Sequence, residues 1–146
     1  MLRTELRPSP DNVRDRWFRQ GARGWRLAVR ILILEDNPFI ALDLQALLER
    51  EGHQIAGLFG SLSEAYAHLD DSFDYALLDV DVVGGKSFGL AVQLAARRIP
   101  FAFVSASHPS DLPYSLRQAA FIPKPFEERA ILRSIEQVAA GALACH

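Results

Sequence analysis

Hydrophobic and polar positions change their period repeatedly along this chain. Residues 29–34 (VRILIL) form a short apolar, β-branched run, the pattern of a strand buried on both faces. Residues 38–51 then carry Ile40, Leu44, Leu47 and Leu48 at helical spacing, with Pro38 in the first turn and Gly52 past the end. Residues 53–59 read as a second strand. Ser61 and Glu64 have capping-box spacing and open a helix to about residue 69. Residues 73–80 (FDYALLDV) make a third strand. The stretch 87–98 places Phe88, Ala91, Val92 and Ala95 on one helical face, with Ser87 as its cap. Residues 100–105 (PFAFVS) and 119–122 are strands four and five. A last helix over 127–140 has Glu127 and Glu128 in its first turn, where the helix dipole favours them.

Strand and helix therefore alternate through residues 29–141, which predicts an α/β domain with a doubly wound, five-stranded parallel sheet covered on both faces. The segment between strands four and five contains Pro109 and Pro113, so its helix is expected to be short, tilted or partly unwound. Gly84-Gly85 reads as a flexible connector after strand three.

Ligands of such sheets bind at the carboxyl ends of the strands. Strand one ends in Glu35-Asp36, strand three in Asp79 with Asp81 two residues on, and strand four in Ser105. Strand five is followed by Lys124 between two prolines. Taken singly, each has a plainer explanation: a carboxylate at a strand end is commonly a turn residue or helix cap, and Glu35-Asp36 would cap the first helix. Taken together on one rim, three carboxylates repel one another, and a cation relieves the repulsion. Oxygen donors without His or Cys suit Mg²⁺. A Mg²⁺ beside a carboxylate and a lysine is suited to phosphoryl transfer, with the carboxylate as nucleophile.

Composition changes this picture little. The chain has 146 residues, 49% hydrophobic and 23% charged, the range of one ordinary globular domain. The single cysteine, Cys145, excludes an intrachain disulfide and a cysteine metal site. His53, His68, His108 and His146 lack metal-ligand spacing. No apolar run is long enough to span a bilayer or to serve as a secretory signal, and a cytoplasmic location is expected.

Charge alters the reading of the N-terminus. The net charge is −2, but residues 1–30 hold eight arginines and carry +5, leaving −7 on the rest. Residues 1–28 are a basic extension open to three readings: a solvated arm with a short helix near 11–20, a basic, aromatic arm docking on an anionic partner or nucleic acid, or a segment not natively translated, with a start at Val29. Residues 142–146 are a short tail.

The stretches ILILEDNPFIALDL, FDYALLDVDV, FAFVSAS and FIPKPF, spread over residues 30–140, resemble the response-regulator receiver domain of two-component signalling. The resemblance implies a flavodoxin-like sheet of strand order 2-1-3-4-5. It implies that Asp79 is phosphorylated from a phosphohistidine on a histidine kinase or phosphotransfer protein. By position, Glu35 and Asp36 serve Mg²⁺ together with Asp79, and Asp81 adds its backbone carbonyl. Lys124 and Ser105 contact the phosphoryl group, and Phe121 is the aromatic switch. Such a chain is a phosphoacceptor that resets slowly, not a turnover enzyme. Its expected partners are proteins, a homodimer included; the receiver itself is expected to bind no nucleic acid, and no membrane partner is expected.

The chain departs from the family in the short interval between Ser105 and Lys124, in a switch aromatic without a hydroxyl, and in the charge of Asp81, at a position that tunes dephosphorylation in this family. Only six residues follow residue 140, so output through a protein contact, a relay or a phosphate sink is expected.

Two other motifs compete. Asp79-Val80-Asp81-Val82-Val83 matches the DxDx(T/V) motif of haloacid-dehalogenase-type phosphatases, but that motif belongs to the first strand and here follows the third. Gly84-Gly85-Lys86-Ser87 resembles the end of a phosphate-binding loop, but Val80 stands where its first glycine is needed. A receiver that only binds partners, without phosphorylation, is the third alternative; the complete set of Glu35, Asp36, Asp79, Ser105 and Lys124 argues against it.

Overall fold

The structure, a computed structural model, describes residues 17–19 and 25–144, with side chains from 27 to 140. Strands β1 (Trp17–Arg19) and β2 (Trp25–Leu27) pair antiparallel, Trp17 opposite Leu27. The helix expected near 11–20 is therefore corrected at 17–19: aromatic residues there and at Trp25 favour a ladder. The remainder of that expected helix lies outside the described residues, as do Cys145 and His146.

Five strands form one parallel sheet: β3 (Arg30–Leu34), β4 (Gln54–Phe59), β5 (Tyr75–Leu78), β8 (Phe101–Ser105) and β9 (Ala120–Pro123). Their spatial order, β4-β3-β5-β8-β9, is 2-1-3-4-5 when these five are counted along the chain. The remaining strands, β6 (Asp81–Val82) and β7 (Gly85–Lys86), form an antiparallel hairpin. The helices are α1 (Pro38–Arg50), α2 (Leu62–Ala67), α3 (Phe88–Ala96) and α4 (Glu128–Ala144). The last helix, expected over 127–140, runs on to Ala144.

Alternation along the strands builds two cores. Leu32, Leu34, Ala76, Leu78 and Phe103 face α2 and α3, where Ala65, Leu90, Ala91 and Leu94 are buried. Ile31, Ile33, Tyr75, Leu77, Ala102 and Val104 face α1 and α4, meeting Leu44, Leu47, Leu48, Ile131 and Ile135. The central strand β5 (YALL) is buried at every position because both of its faces are covered.

Between β8 and β9 two single 3₁₀ turns, Pro109–Asp111 and Tyr114–Leu116, replace a regular helix, as the two prolines require. Leu112 and Leu116 anchor this segment in the core. Gly84-Gly85 is not a loose connector. Both residues have positive φ, +103° and +124°, which tightens the β6–β7 turn, and Leu62 N–H donates to Val83 O at 3.0 Å and fixes its tip. Among the described residues no helix is long and apolar enough to cross a membrane.

Burial pushes the Tyr75 phenol above its usual value of 10.0, against a hydrogen bond to Ser134 that lowers it. The unfolded chain gives up that proton first, so this contribution to stability is complete below about pH 10 and declines above it. Tyr75→Phe should therefore lose less stability than the parent between about pH 9 and pH 11 in urea denaturation. Equal losses would show that Tyr75 ionises freely in the folded chain.

Candidate functional site

All four interior strand pairings are parallel, so the carboxyl ends of β3, β5, β8 and β9 share one rim. Leu34 pairs with Leu78, and Ser105 with Pro123. Glu35, Asp79, Ser105 and Lys124 each stand at or just beyond such an end. Asp79 N–H donates to Leu34 O at 2.9 Å, and Lys124 N–H donates to Ser105 O at 3.0 Å, which locks the neighbouring ends together.

Lys124 is the hub. Its Nζ donates to Asp79 Oδ2 at 2.8 Å and to Glu35 Oε1. Both carboxylates are buried, Glu35 at 4% and Asp79 at 8% exposure, and the Lys124 side chain is also mostly covered. The remaining oxygens are held by main chain. Asn37 N–H donates to Glu35 Oε2 at 3.1 Å, and Val80 N–H donates to Asp79 Oδ1 at 2.7 Å. Capping of α1 falls to Asn37, whose Oδ1 accepts from Phe39 and Ile40 N–H. The plain reading of Glu35-Asp36 as that helix's cap is thereby excluded.

Electrostatics follow from burial. Loss of water pushes the Glu35 carboxyl up, and the Asp79 charge adds to this, while Lys124 and the Asn37 N–H pull it down only in part. Burial pulls the Lys124 ammonium down, but its hydrogen bonds to Asp79 and Glu35 more than offset that and leave it above its usual value. Lys124 therefore stays charged.

Oxygens of Glu35, Asp36 and Asp79 all lie within 4.8 Å of one another. Three carboxylates and one ammonium leave an excess of two negative charges, with oxygen donors only. That donor set fits a hard divalent cation such as Mg²⁺, and exposed Asp36 opens the cluster to solvent.

Other sequence-predicted residues sit around this centre. Ser105 is buried, and its Oγ accepts from Ser107 N–H at 3.1 Å. The Asp81 side chain turns outward to Lys86 and accepts from Ser107 Oγ at 3.2 Å. Its hydrogen bond to Lys86 holds the Asp81 carboxyl below the usual carboxylate range. Phe121, half-buried opposite Phe103 on β8, packs against the core.

Ser87 was expected to cap α3. It occupies that position, but its side chain makes no capping bond; the hydroxyl donates to Asp79 O at 2.6 Å. No sequence signal separates these two uses of a helix-start serine. The Ser61–Glu64 box forms in altered shape: Ser61 Oγ accepts from Glu64 N–H, but Glu64 Oε2 accepts from Gly60 N–H rather than from Ser61.

No family model matches the chain. It is 34% identical over 116 residues to the phyllosphere-induced regulator PhyR of Methylorubrum extorquens, a match covering 76% of this chain and 43% of that protein. The chain thus spans less than half the length of that relative. The solution structure of SdrG from Sphingomonas melonis shares 33% identity with a TM-score of 0.67, over 76% of this chain and 96% of that one. The receiver (REC) domain of the PhyR response regulator from Erythrobacter litoralis shares 25% identity with a TM-score of 0.67, over 76% and 89%.

Proposed function

The chain belongs to the response-regulator receiver family of two-component signalling, and from that premise we propose that it accepts a phosphoryl group on Asp79. The observation that carries this reading is Lys124 Nζ bridging Asp79 and Glu35, two buried carboxylates at the ends of adjacent strands. A buried nucleophile held by one ammonium, beside two further carboxylates, is arranged to capture an electrophile rather than to brace a fold.

A carboxylate oxygen of Asp79 attacks phosphorus of a phosphohistidine on a histidine kinase or phosphotransfer protein. The new O–P bond forms as the P–N bond breaks, and the leaving imidazole takes up a proton. Lys124 stays charged through the step and supplies positive potential to the phosphoryl oxygens. Glu35, Asp36 and Asp79, with the Asp81 backbone carbonyl, would hold Mg²⁺; when bound, it offsets charge on the transferring group. The Ser105 hydroxyl, now accepting from Ser107 N–H, turns to the acyl phosphate, and Phe121 follows as the switch. The chain is itself the modified product and resets by slow hydrolysis, so it is an acceptor and not a turnover enzyme. The same reading places it in the cytoplasm with protein partners.

Incubation with acetyl phosphate and Mg²⁺, borohydride reduction and peptide mass spectrometry test the assignment. The modification is expected on Asp79. Absence of any label, or a label confined to another carboxylate, would overturn it.

A further inference from the structure

We infer that Ser87 is a positioning residue that sets the orientation of the Asp79 carboxylate through the peptide plane between residues 79 and 80. The inference rests on the phosphoacceptor reading of Asp79. β5 ends at Leu78, the last residue paired with either neighbouring strand, so the Asp79 carbonyl lies beyond the ladders to β3 and β8. A buried carbonyl without a strand partner requires a donor from elsewhere. Ser87, at 0% exposure, supplies it, with Oγ 2.6 Å from Asp79 O.

The geometry ties this bond to the reacting group. A peptide unit is planar, so the Asp79 C=O and the Val80 N–H turn together. Ser87 Oγ grips the carbonyl side of that plane. The N–H on its other side donates to Asp79 Oδ1 at 2.7 Å. Ser87 N–H donates to Val80 O at 2.9 Å, which closes the base of the β6–β7 hairpin. The plane is thus fixed from Ser87, and the plane aims the N–H that holds one carboxylate oxygen while Lys124 holds the other. Without the hydroxyl the plane can tilt, and the carboxylate moves off the line it shares with Lys124.

The same arrangement explains why this serine does not cap α3. A cap would turn its hydroxyl toward the helix amides and leave the Asp79 carbonyl buried without a donor. The hydroxyl therefore serves the acceptor, and the start of α3 goes without a side-chain cap.

The test compares the parent with Ser87→Ala and with Ser87→Cys, which nearly keeps the volume but weakens the donor. Two readings are taken on the full chain: the amide signal of Val80 in a ¹H–¹⁵N spectrum without Mg²⁺, and the rate of labelling by acetyl phosphate with Mg²⁺. Both variants should move the Val80 amide upfield, and Ser87→Ala should label about tenfold more slowly, since small misplacements of reacting groups cost one to two orders of magnitude. If Ser87→Ala does not fold, Ser87→Cys is judged on the same two readings.

A Val80 amide unmoved in a folded variant overturns the inference, whatever the labelling rate. An unchanged labelling rate with a shifted amide also overturns it, because orientation would then not matter to transfer. If the parent itself takes no label, the phosphoacceptor reading fails, and the Val80 amide alone decides whether Ser87 fixes the plane.

Discussion

Asp79→Asn should bring phosphoryl labelling by acetyl phosphate and Mg²⁺ down to background while leaving the chain folded. In the parent a carboxylate oxygen attacks phosphorus, the bond to the acetyl oxygen breaks, and acetate leaves. A carboxamide oxygen lacks the carboxylate's full negative charge, and the amide nitrogen's lone pair is delocalised into the carbonyl, so neither atom competes with water for phosphorus. Asparagine keeps the size of the side chain and an oxygen able to accept from Lys124 Nζ or Val80 N–H, so the packing around the rim persists. Neighbouring carboxylates do not substitute. Asp81 is engaged by Lys86 and Ser107 on the outer side of the hairpin, and Glu35 is buried against Lys124 and Asn37 N–H. Labelling of a folded Asp79→Asn chain equal to the parent's would refute the assignment; circular dichroism and urea denaturation establish that the variant is folded.

The sheet and the rim were legible because both follow from period. Apolar β-branched runs separated by helical spacing leave few arrangements other than a parallel sheet, and a parallel sheet brings its carboxyl ends to one edge. The alternation of periods therefore puts Glu35, Asp79, Ser105 and Lys124 on one edge, whereas the strand order rests on the family resemblance. The interrupted segment after β8 was also visible, because Pro109 and Pro113 cannot both sit inside a helix.

What escaped was decided by tertiary partners. The β6–β7 hairpin is six residues long, and Val82-Val83-Gly84-Gly85 gives a weak strand signal next to a strong glycine signal. The glycines therefore read as slack, although their positive φ tightens the turn. Ser87 stands at a helix start in either role, and only the absence of a ladder partner for the Asp79 carbonyl redirects its hydroxyl. Trp17 to Arg19 read as helical from a polar, arginine-rich context, whereas the pairing with Trp25 to Leu27 depends on a second segment that local composition does not reveal. Arg50 and Glu128, 2.8 Å apart, join the end of α1 to the start of α4, a contact that the dipole argument for Glu128 does not contain.

Removal of the rim's cation has the second large effect. In metal-free buffer Lys124→Ala leaves Glu35 and Asp79 buried without their ammonium and raises the local excess from two negative charges to three. Breaking a buried ion pair from one side costs on the order of 3 kcal/mol, since the stranded charge cannot regain its water. The urea midpoint at neutral pH should fall accordingly. The sign of the pH dependence follows from the raised Lys124 ammonium: its contribution is complete below the ordinary value of 10.5 and is lost as pH rises through the folded value. The gap between parent and variant should therefore persist across neutral pH, narrow on the alkaline side as the ammonium is lost, and narrow in acid as the stranded carboxylates take up protons. Mg²⁺ should stabilise the variant more than the parent, because a cation binding the three carboxylates replaces the missing counter-charge as well as meeting the existing excess. Labelling should slow without vanishing, as the nucleophile is intact but the positive potential over the phosphoryl oxygens is reduced. An unchanged urea midpoint in Lys124→Ala, with no added response to Mg²⁺, would mean that the lysine is not the counter-ion of this rim and that the charge balance argued for the site is wrong.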